Sequence, residues 1–185
     1  MDIDLRVRLR PAGDDRDWTG IRLGLVYDLA MPKTHIRLGT LPDLDELLRL
    51  RPLLWPETTA AENREELSAV LSGAPSGNLP SAIVVAEDSE GSLAGFLEAG
   101  LRSHADGCDT RVPVGYVEGW FVVESHRRTG IGAQLLRFAE QWARGHGCVE
   151  MASDALIDNQ LSQQAHEALG FEVVDRCVHY RKTLS

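Results

Sequence analysis

From His35 onward, apolar positions alternate between a period of two and the three-to-four spacing of a helix. HIRLGT (35–40) reads as a short strand. LPDLDELLRLRPLLW follows, with Pro42 at a helix start and Leu44, Leu47, Leu48 and Leu54 at helical spacing. TTAAENREELSAVLSG predicts a second helix ended by Gly73, and the loop GAPSGNLP leads into three strands, SAIVVAED, SLAGFLEAGLR and PVGYVEGWFVVE, expected to form an antiparallel meander. A long helix comes next, with Ile131, Leu135, Leu136, Ala139, Trp142 and Ala143 on one face and Arg137, Glu140 and Arg144 on the other, stopping at GHG. A strand CVEMASD, a helix DNQLSQQAHEALG closed by Gly170 and two strands, FEVVDR and CVHYRKTL, complete the chain. This order describes a mixed α/β fold: a twisted, mostly antiparallel sheet with one parallel crossover, flanked by helices. Residues 1–33 lie outside this plan as an N-terminal extension with no assigned role, and Met31 is an alternative start. The domain proper is expected over 34–185.

Composition removes several classes of function. With 185 residues and 43% hydrophobic content the chain can bury the core of one domain. No run approaches the roughly 20 apolar residues of a membrane span, and Asp2, Asp4 and Asp14 interrupt any signal-peptide core, so a soluble cytoplasmic protein is expected. Cys108, Cys148 and Cys177 form no CxxC pair and have no histidines at zinc-ligand spacing, so neither metal nor disulfide is expected. A formal net charge of -9 disfavours nucleic acid as a partner and favours a cationic substrate.

ESHRRTGIGAQ, ahead of the long helix, carries more specific chemistry. A strand feeding Arg127, Arg128, Thr129, Gly130, Ile131 and Gly132 into a helix gathers backbone N–H groups and the positive helix end in one concavity, suited to phosphate oxygens. No Gly-Lys-Ser/Thr follows, so it is not a Walker loop, and Leu135 stands where a dinucleotide fingerprint has its third glycine. An ordinary glycine-containing helix start with solvated arginines fits the same stretch.

With its neighbours, the turn resembles the signature of the GNAT N-acetyltransferase superfamily, Gln/Arg-x-x-Gly-x-Gly/Ala, present as Arg127-x-x-Gly130-x-Gly132. The likeness covers residues 34–185. LWPE (54–57), LEAG (97–100), VEGWFV (117–122), ASD (152–154), DN (158–159) and AHEALGF (165–171) together resemble the dimeric branch of bacterial aminoglycoside 6'-N-acetyltransferases, which inactivate antibiotics of the kanamycin type. The resemblance implies a GNAT fold, acetyl-CoA as co-substrate, an aminoglycoside as acceptor, antibiotic resistance and a homodimer. It implies that backbone groups of Phe121, Val122 and Val123 are free to pair with pantetheine, that the turn from Arg127 or Arg128 to Ala133 cradles the pyrophosphate, and that Asn159 binds further along the cofactor. His166 stands where many relatives carry the tyrosine that protonates the departing thiolate.

The carboxylates also carry a reading of their own. Glu98 and Glu118 lie inside strands of Leu, Ala, Gly, Val and Trp, where a charge needs a partner or a cleft, and Asp154 ends the strand after the crossover. Charges facing water account equally for Glu87 and Glu124 at strand ends. By resemblance, Glu118, Asp154 and Asp175 line the antibiotic site, Trp55 offers a face for a sugar ring, and Asp154, Glu118 or, through water, Glu98 removes the proton of the attacking amine. Two other readings stay open: an acetyltransferase for a protein N-terminus or a polyamine, and a non-catalytic acyl-CoA sensor.

Overall fold

The computed structural model describes residues 34–73 and 79–184; the expected extension, 1–33, and most of the loop GAPSGNLP lie outside the described residues. Five strands, β1 (His35–Leu38), β2 (Ser81–Glu87), β3 (Leu93–Arg102), β4 (Val114–Val122) and β5 (Met151–Ser153), form one sheet in chain order. The first three pairings are antiparallel, and β4 with β5 is parallel. A parallel neighbour cannot be reached by a hairpin, so the chain crosses over through α3 (Ile131–Gly145). The expected meander and crossover are both present.

The helices divide between the two faces. Helix α3 buries Ile131, Leu135, Leu136 and Ala139 against Val84, Leu97, Ala99 and Val117, on the stripe expected from its spacing. Helices α1 (Leu44–Leu50) and α2 (Ala60–Leu71) cover the other face, where Leu47, Leu50 and Leu67 meet Ile83, Val85, Leu93 and Phe96. The first predicted helix is divided. It begins as a 3-10 turn at Leu41–Asp43, with Thr40 and Asp43 forming a capping box, and passes back into a 3-10 turn at Arg51–Leu53. Pro52, lacking an N–H and crowding the carbonyl one turn back, ends the α-helical ladder. That break turns Arg51 and Trp55 towards the sheet. Helix α2 is capped by Thr59 and Glu62 in the same reciprocal way.

The two closing strands of the sequence reading are absent. From Phe171 to Leu184 the backbone takes no regular secondary structure, although α4 (Gln160–Ala168) ahead of it forms as expected. A strand needs an edge with which to share hydrogen bonds, and β5 offers only three residues. Val173, Val174, Val178, Tyr180 and Leu184 remain at least 60% exposed. Their strand preference is a preference for a half-buried pleated surface, and this protomer does not supply one.

Candidate active site

A break in strand register builds the site. Glu98 pairs with Gly119 and Ala99 with Val117, so Glu118 is the extra residue of a β-bulge and its side chain is re-aimed outward. At the same place β4 parts from β5. Their parallel pairing covers Gly115 to Val117 only, while β4 continues to Val122 and the chain turns away after Ser153. A fork opens between the strands beside Asp154.

Four sequence-nominated residues gather on the face of the sheet that carries α1 and α2. Trp55 packs among the side chains under α1 and lies so close over Gly119 that a Cβ there has no room. Glu98 lies one pairing step away. Glu118 reaches over Gly100, two residues along β3 from Glu98 and therefore on the same face. Asp154 joins through Tyr116, whose hydroxyl donates to Oδ1 at 2.8 Å.

The strand carboxylates have cationic partners within the chain. Arg51 holds Glu98 with Nε to Oε1 at 2.8 Å and Nη2 to Oε2 at 3.3 Å, reaches Asn63 Oδ1 at 2.7 Å and Glu66 at 2.7 Å, and stacks over Trp55 at 4.9 Å. Burial pushes the Glu98 carboxyl above its ordinary range, while Arg51 pulls it down. Arg102 grips Glu118 in the same forked manner, Nε to Oε1 at 3.0 Å and Nη2 to Oε2 at 2.5 Å, and its guanidinium lies 3.3 Å above the centre of the Tyr116 ring. Burial, together with the bond to Asp154, pushes the Tyr116 phenol up to about 12.

The turn ahead of α3 has the predicted place in the chain and a different internal logic. A 3-10 turn, Glu124–His126, leads into Arg127, and Arg128 takes a left-handed φ of 62°. Gly130 caps α3 at φ 86° with open space beside it, so its glycine serves the backbone conformation. Gly132 is required for another reason: a Cβ there would lie 2.8 Å from the Trp120 ring. The amides between Arg128 and Ala133, those of Thr129 and Ile131 included, donate to no acceptor among the described residues, and Ile131 anchors the turn in the core. Such a set of amides suits phosphate oxygens. Of the β4 backbone groups expected to be free, Val123 N–H is committed to Ala94 O at 2.9 Å, and the Phe121 carbonyl lies against Gly95 of β3. Backbone groups in a strand turn alternately to either side, so Val122 is the one of the three that faces the fork. Its carbonyl accepts from Arg127 Nε at 3.0 Å.

His166 lies at the opposite bank of the fork, in edge contact with Trp120 and Phe171 at ring separations of 5.7 and 5.1 Å. Its Nδ1 is 2.7 Å from Ser162 O, which can only accept, so that nitrogen carries a proton. Nε2 is 2.9 Å from Ser153 Oγ, and that hydroxyl also lies 3.3 Å from Val117 O, so its one proton serves one of the two. Asn159 caps α4, its Oδ1 accepting from Ser162 N at 3.1 Å, which leaves its amide NH2 facing outward. Asp175 is exposed and accepts from its neighbour Arg176 N. A cleft of about 990 Å³ is lined by Tyr116, Asp154, His166 and Asp175. Trp55, Glu98 and Glu118 lie outside it.

Arg51, Arg102 and Tyr116 were not singled out in the sequence. Strand alternation was the available signal, since Glu98, Gly100 and Arg102 share a face of β3. The bulge that turns Glu118 towards Arg102 has no sequence signature here. Among the described residues no group of three or more His, Cys, Asp or Glu side chains is placed to hold a metal, and no helix is long and apolar enough to cross a membrane.

Comparison with known proteins agrees with the fold. The model of the acetyltransferase (GNAT) family matches residues 47–171. Aminoglycoside N(6')-acetyltransferase type 1 of Klebsiella aerogenes is 41% identical over 137 residues, covering 74% of this chain and 88% of its own. The protein of the same name from Serratia marcescens is 37% identical over 143 residues, covering 77% and 94%. The solved structure of AAC(6')-Iy in complex with the bisubstrate analogue CoA-S-monomethyl-acetylneamine superposes with a TM-score of 0.74 at 33% identity, over 82% of this chain and 99% of that one. The aminoglycoside antibiotic 6'-N-acetyltransferase AAC(6')-Ih from Acinetobacter baumannii gives 0.73 at 31%, over 83% and 100%.

Proposed function

Because the chain belongs to the GNAT acetyltransferase family, and within it to the aminoglycoside 6'-N-acetyltransferases, we infer that it transfers the acetyl group of acetyl-CoA to the 6'-amine of aminoglycoside antibiotics and so inactivates them. The observation that carries this reading is the convergence of Trp55, Glu98, Glu118 and Asp154 on one face of the sheet beside a fork between strands. A polycationic sugar meets carboxylates and an indole there.

Acetyl-CoA supplies the activated acyl group, as a thioester whose carbonyl must be held and polarised. The residues that would hold it are the unclaimed amides from Arg128 to Ala133 for the pyrophosphate, with Arg127 and Arg128 adding charge, and the Val122 backbone for the pantetheine arm. Val122 O becomes available once Arg127 swings from it to the phosphates. Asn159 has an amide NH2 to offer near the α4 start. The acceptor arrives as an ammonium and must lose a proton before its lone pair can attack. Asp154 is suited to take it: Tyr116 fixes one oxygen and leaves the other for the amine. Glu118 and Asp175 attract the cation, and Glu98, pinned by Arg51, acts on the amine through water or not at all. The departing sulfur needs a proton: with His166 as imidazolium, protonated on both nitrogens, Nε2–H can pass its proton to Ser153 Oγ as that hydroxyl gives its own to the thiolate.

The reading also places the protein in the cytoplasm, where acetyl-CoA is made, and makes it a homodimer, for which the exposed apolar side chains after Phe171 provide the material. Residues 34–185 form the acetyltransferase domain, and a chain begun at Met31 should retain activity. The deciding experiment follows thiol release from acetyl-CoA with kanamycin, polyamines and peptides as acceptors. Release with kanamycin is expected. Release with polyamines or peptides alone assigns a different acceptor, and no release with any amine leaves an acyl-CoA sensor.

A further inference from the structure

Arg102 lies where a cation of the acceptor would be expected to lie. It is the last residue of β3, its side chain is 42% exposed, and both of its forked nitrogens face the two oxygens of Glu118, itself 38% exposed. Its guanidinium covers the face of Tyr116, whose hydroxyl is bonded to Asp154. The carboxylates of the proposed acceptor site are therefore joined through Arg102 and Tyr116 into one set, in which the charge of Glu118 is balanced and that of Asp154 is not. An ammonium cannot engage Glu118 fully while the fork is closed on it, and a pair exposed on both sides is open to exchange with a competing cation.

We propose that Arg102 is a placeholder cation: the incoming aminoglycoside displaces it from Glu118, so that acceptor binding is an exchange of one cation for another and uncovers the Tyr116 ring as a stacking face. The arrangement keeps the acidic bulge paired in the absence of acceptor. It also sets a threshold for specificity, because a monocation gains little from replacing a bidentate guanidinium, whereas a polycation spanning Glu118 and Asp154 gains two contacts for the one it breaks. The exchange rests on the acceptor reading above and concerns binding rather than chemistry, so Arg102 is not a catalytic residue.

Kanamycin binding, measured by calorimetry in the absence of acetyl-CoA, tests the exchange, while thiol release by the unaltered protein tests the acceptor reading independently. Arg102→Gln is expected to tighten kanamycin binding about 3- to 10-fold and to steepen its dependence on salt, because the site has gained a net negative charge. Arg102→Lys, which keeps the charge but not the fork, should bind kanamycin with an affinity between those of the parent and Arg102→Gln, and guards against reading a folding defect as an effect on binding. Unchanged or weaker binding by Arg102→Gln, with the parent turning kanamycin over normally, would overturn the exchange and make Arg102 a positioning residue for Glu118. A parent that neither binds nor acetylates kanamycin would overturn the acceptor reading and the exchange together.

Discussion

At the scale of single residues, the two carboxylates proposed to meet the acceptor differ in what they have free. Asp154 is tied by one phenolic hydroxyl, whereas both oxygens of Glu118 are gripped by Arg102. Asp154→Asn is expected to lower kcat about 100-fold, the loss of a base, with acetyl-CoA affinity unchanged within about 2-fold. Glu118→Gln should act on KM for kanamycin, by about 10-fold, and leave kcat nearly intact. Steady-state kinetics with each substrate varied in turn separate the two; equal effects on kcat would place Glu118 in the chemistry as well. Tyr116 adds a pH dependence. Its folded-state value, raised to about 12 by burial and by the bond to Asp154, lies above that of an unfolded tyrosine. The proton is therefore held more tightly when folded, so the contribution is complete below about pH 10 and lost as pH rises towards 12. Urea midpoints measured across that window should fall by the equivalent of about 1–2 kcal/mol more in the parent than in Tyr116→Phe. Identical curves would remove the phenol from the linkage.

At the scale of elements, the 3-10 turn after α1 fastens three pieces together through one guanidinium. Arg51 joins Glu98 of β3 to Asn63 and Glu66 of α2 and lies over Trp55, with Arg51 and Asn63 both buried. Arg51→Ala would leave Glu98 half-sequestered without a partner, and we expect a loss of about 3–5 kcal/mol in urea unfolding, mostly recovered when Glu98→Gln is added. A loss below about 1 kcal/mol would show the network to be ornamental to the fold. The turn before α3 holds strain instead. Arg128 sits at φ 62°, a conformation that costs a side chain about 1 kcal/mol and that glycine adopts freely. Arg128→Gly is therefore expected to raise stability by about that amount while weakening coenzyme A binding about 10-fold. If both stability and affinity fall, the residue is not paying strain for a phosphate contact.

At the scale of the whole molecule, the chain after Phe171 is the unfinished part. Val173, Val174, Val178, Tyr180 and Leu184 stay at least 60% exposed, and the β5 edge has three residues. A second copy can supply the missing pleated surface, and light scattering at micromolar concentration should give twice the chain mass; a monomer there would contradict the homodimer. The sequence by itself determined the order of the elements up to α4, the amphipathic face of α3, the place of the glycine turn ahead of it and the presence of carboxylates inside apolar strands, because these follow from local periodicity, capping and residue chemistry. It misjudged the closing strands, since whether Val- and Tyr-rich stretches pair depends on an available edge and not on their own preference. Only the tertiary structure decided that Glu118 occupies a bulge, that Trp55 lies on Gly119, that Gly132 makes room for Trp120, and that arginines 47 and 16 residues away in the chain neutralise Glu98 and Glu118. Register shifts and long-range ion pairs arise from the competition of many contacts across the sheet, and no local segment encodes the outcome.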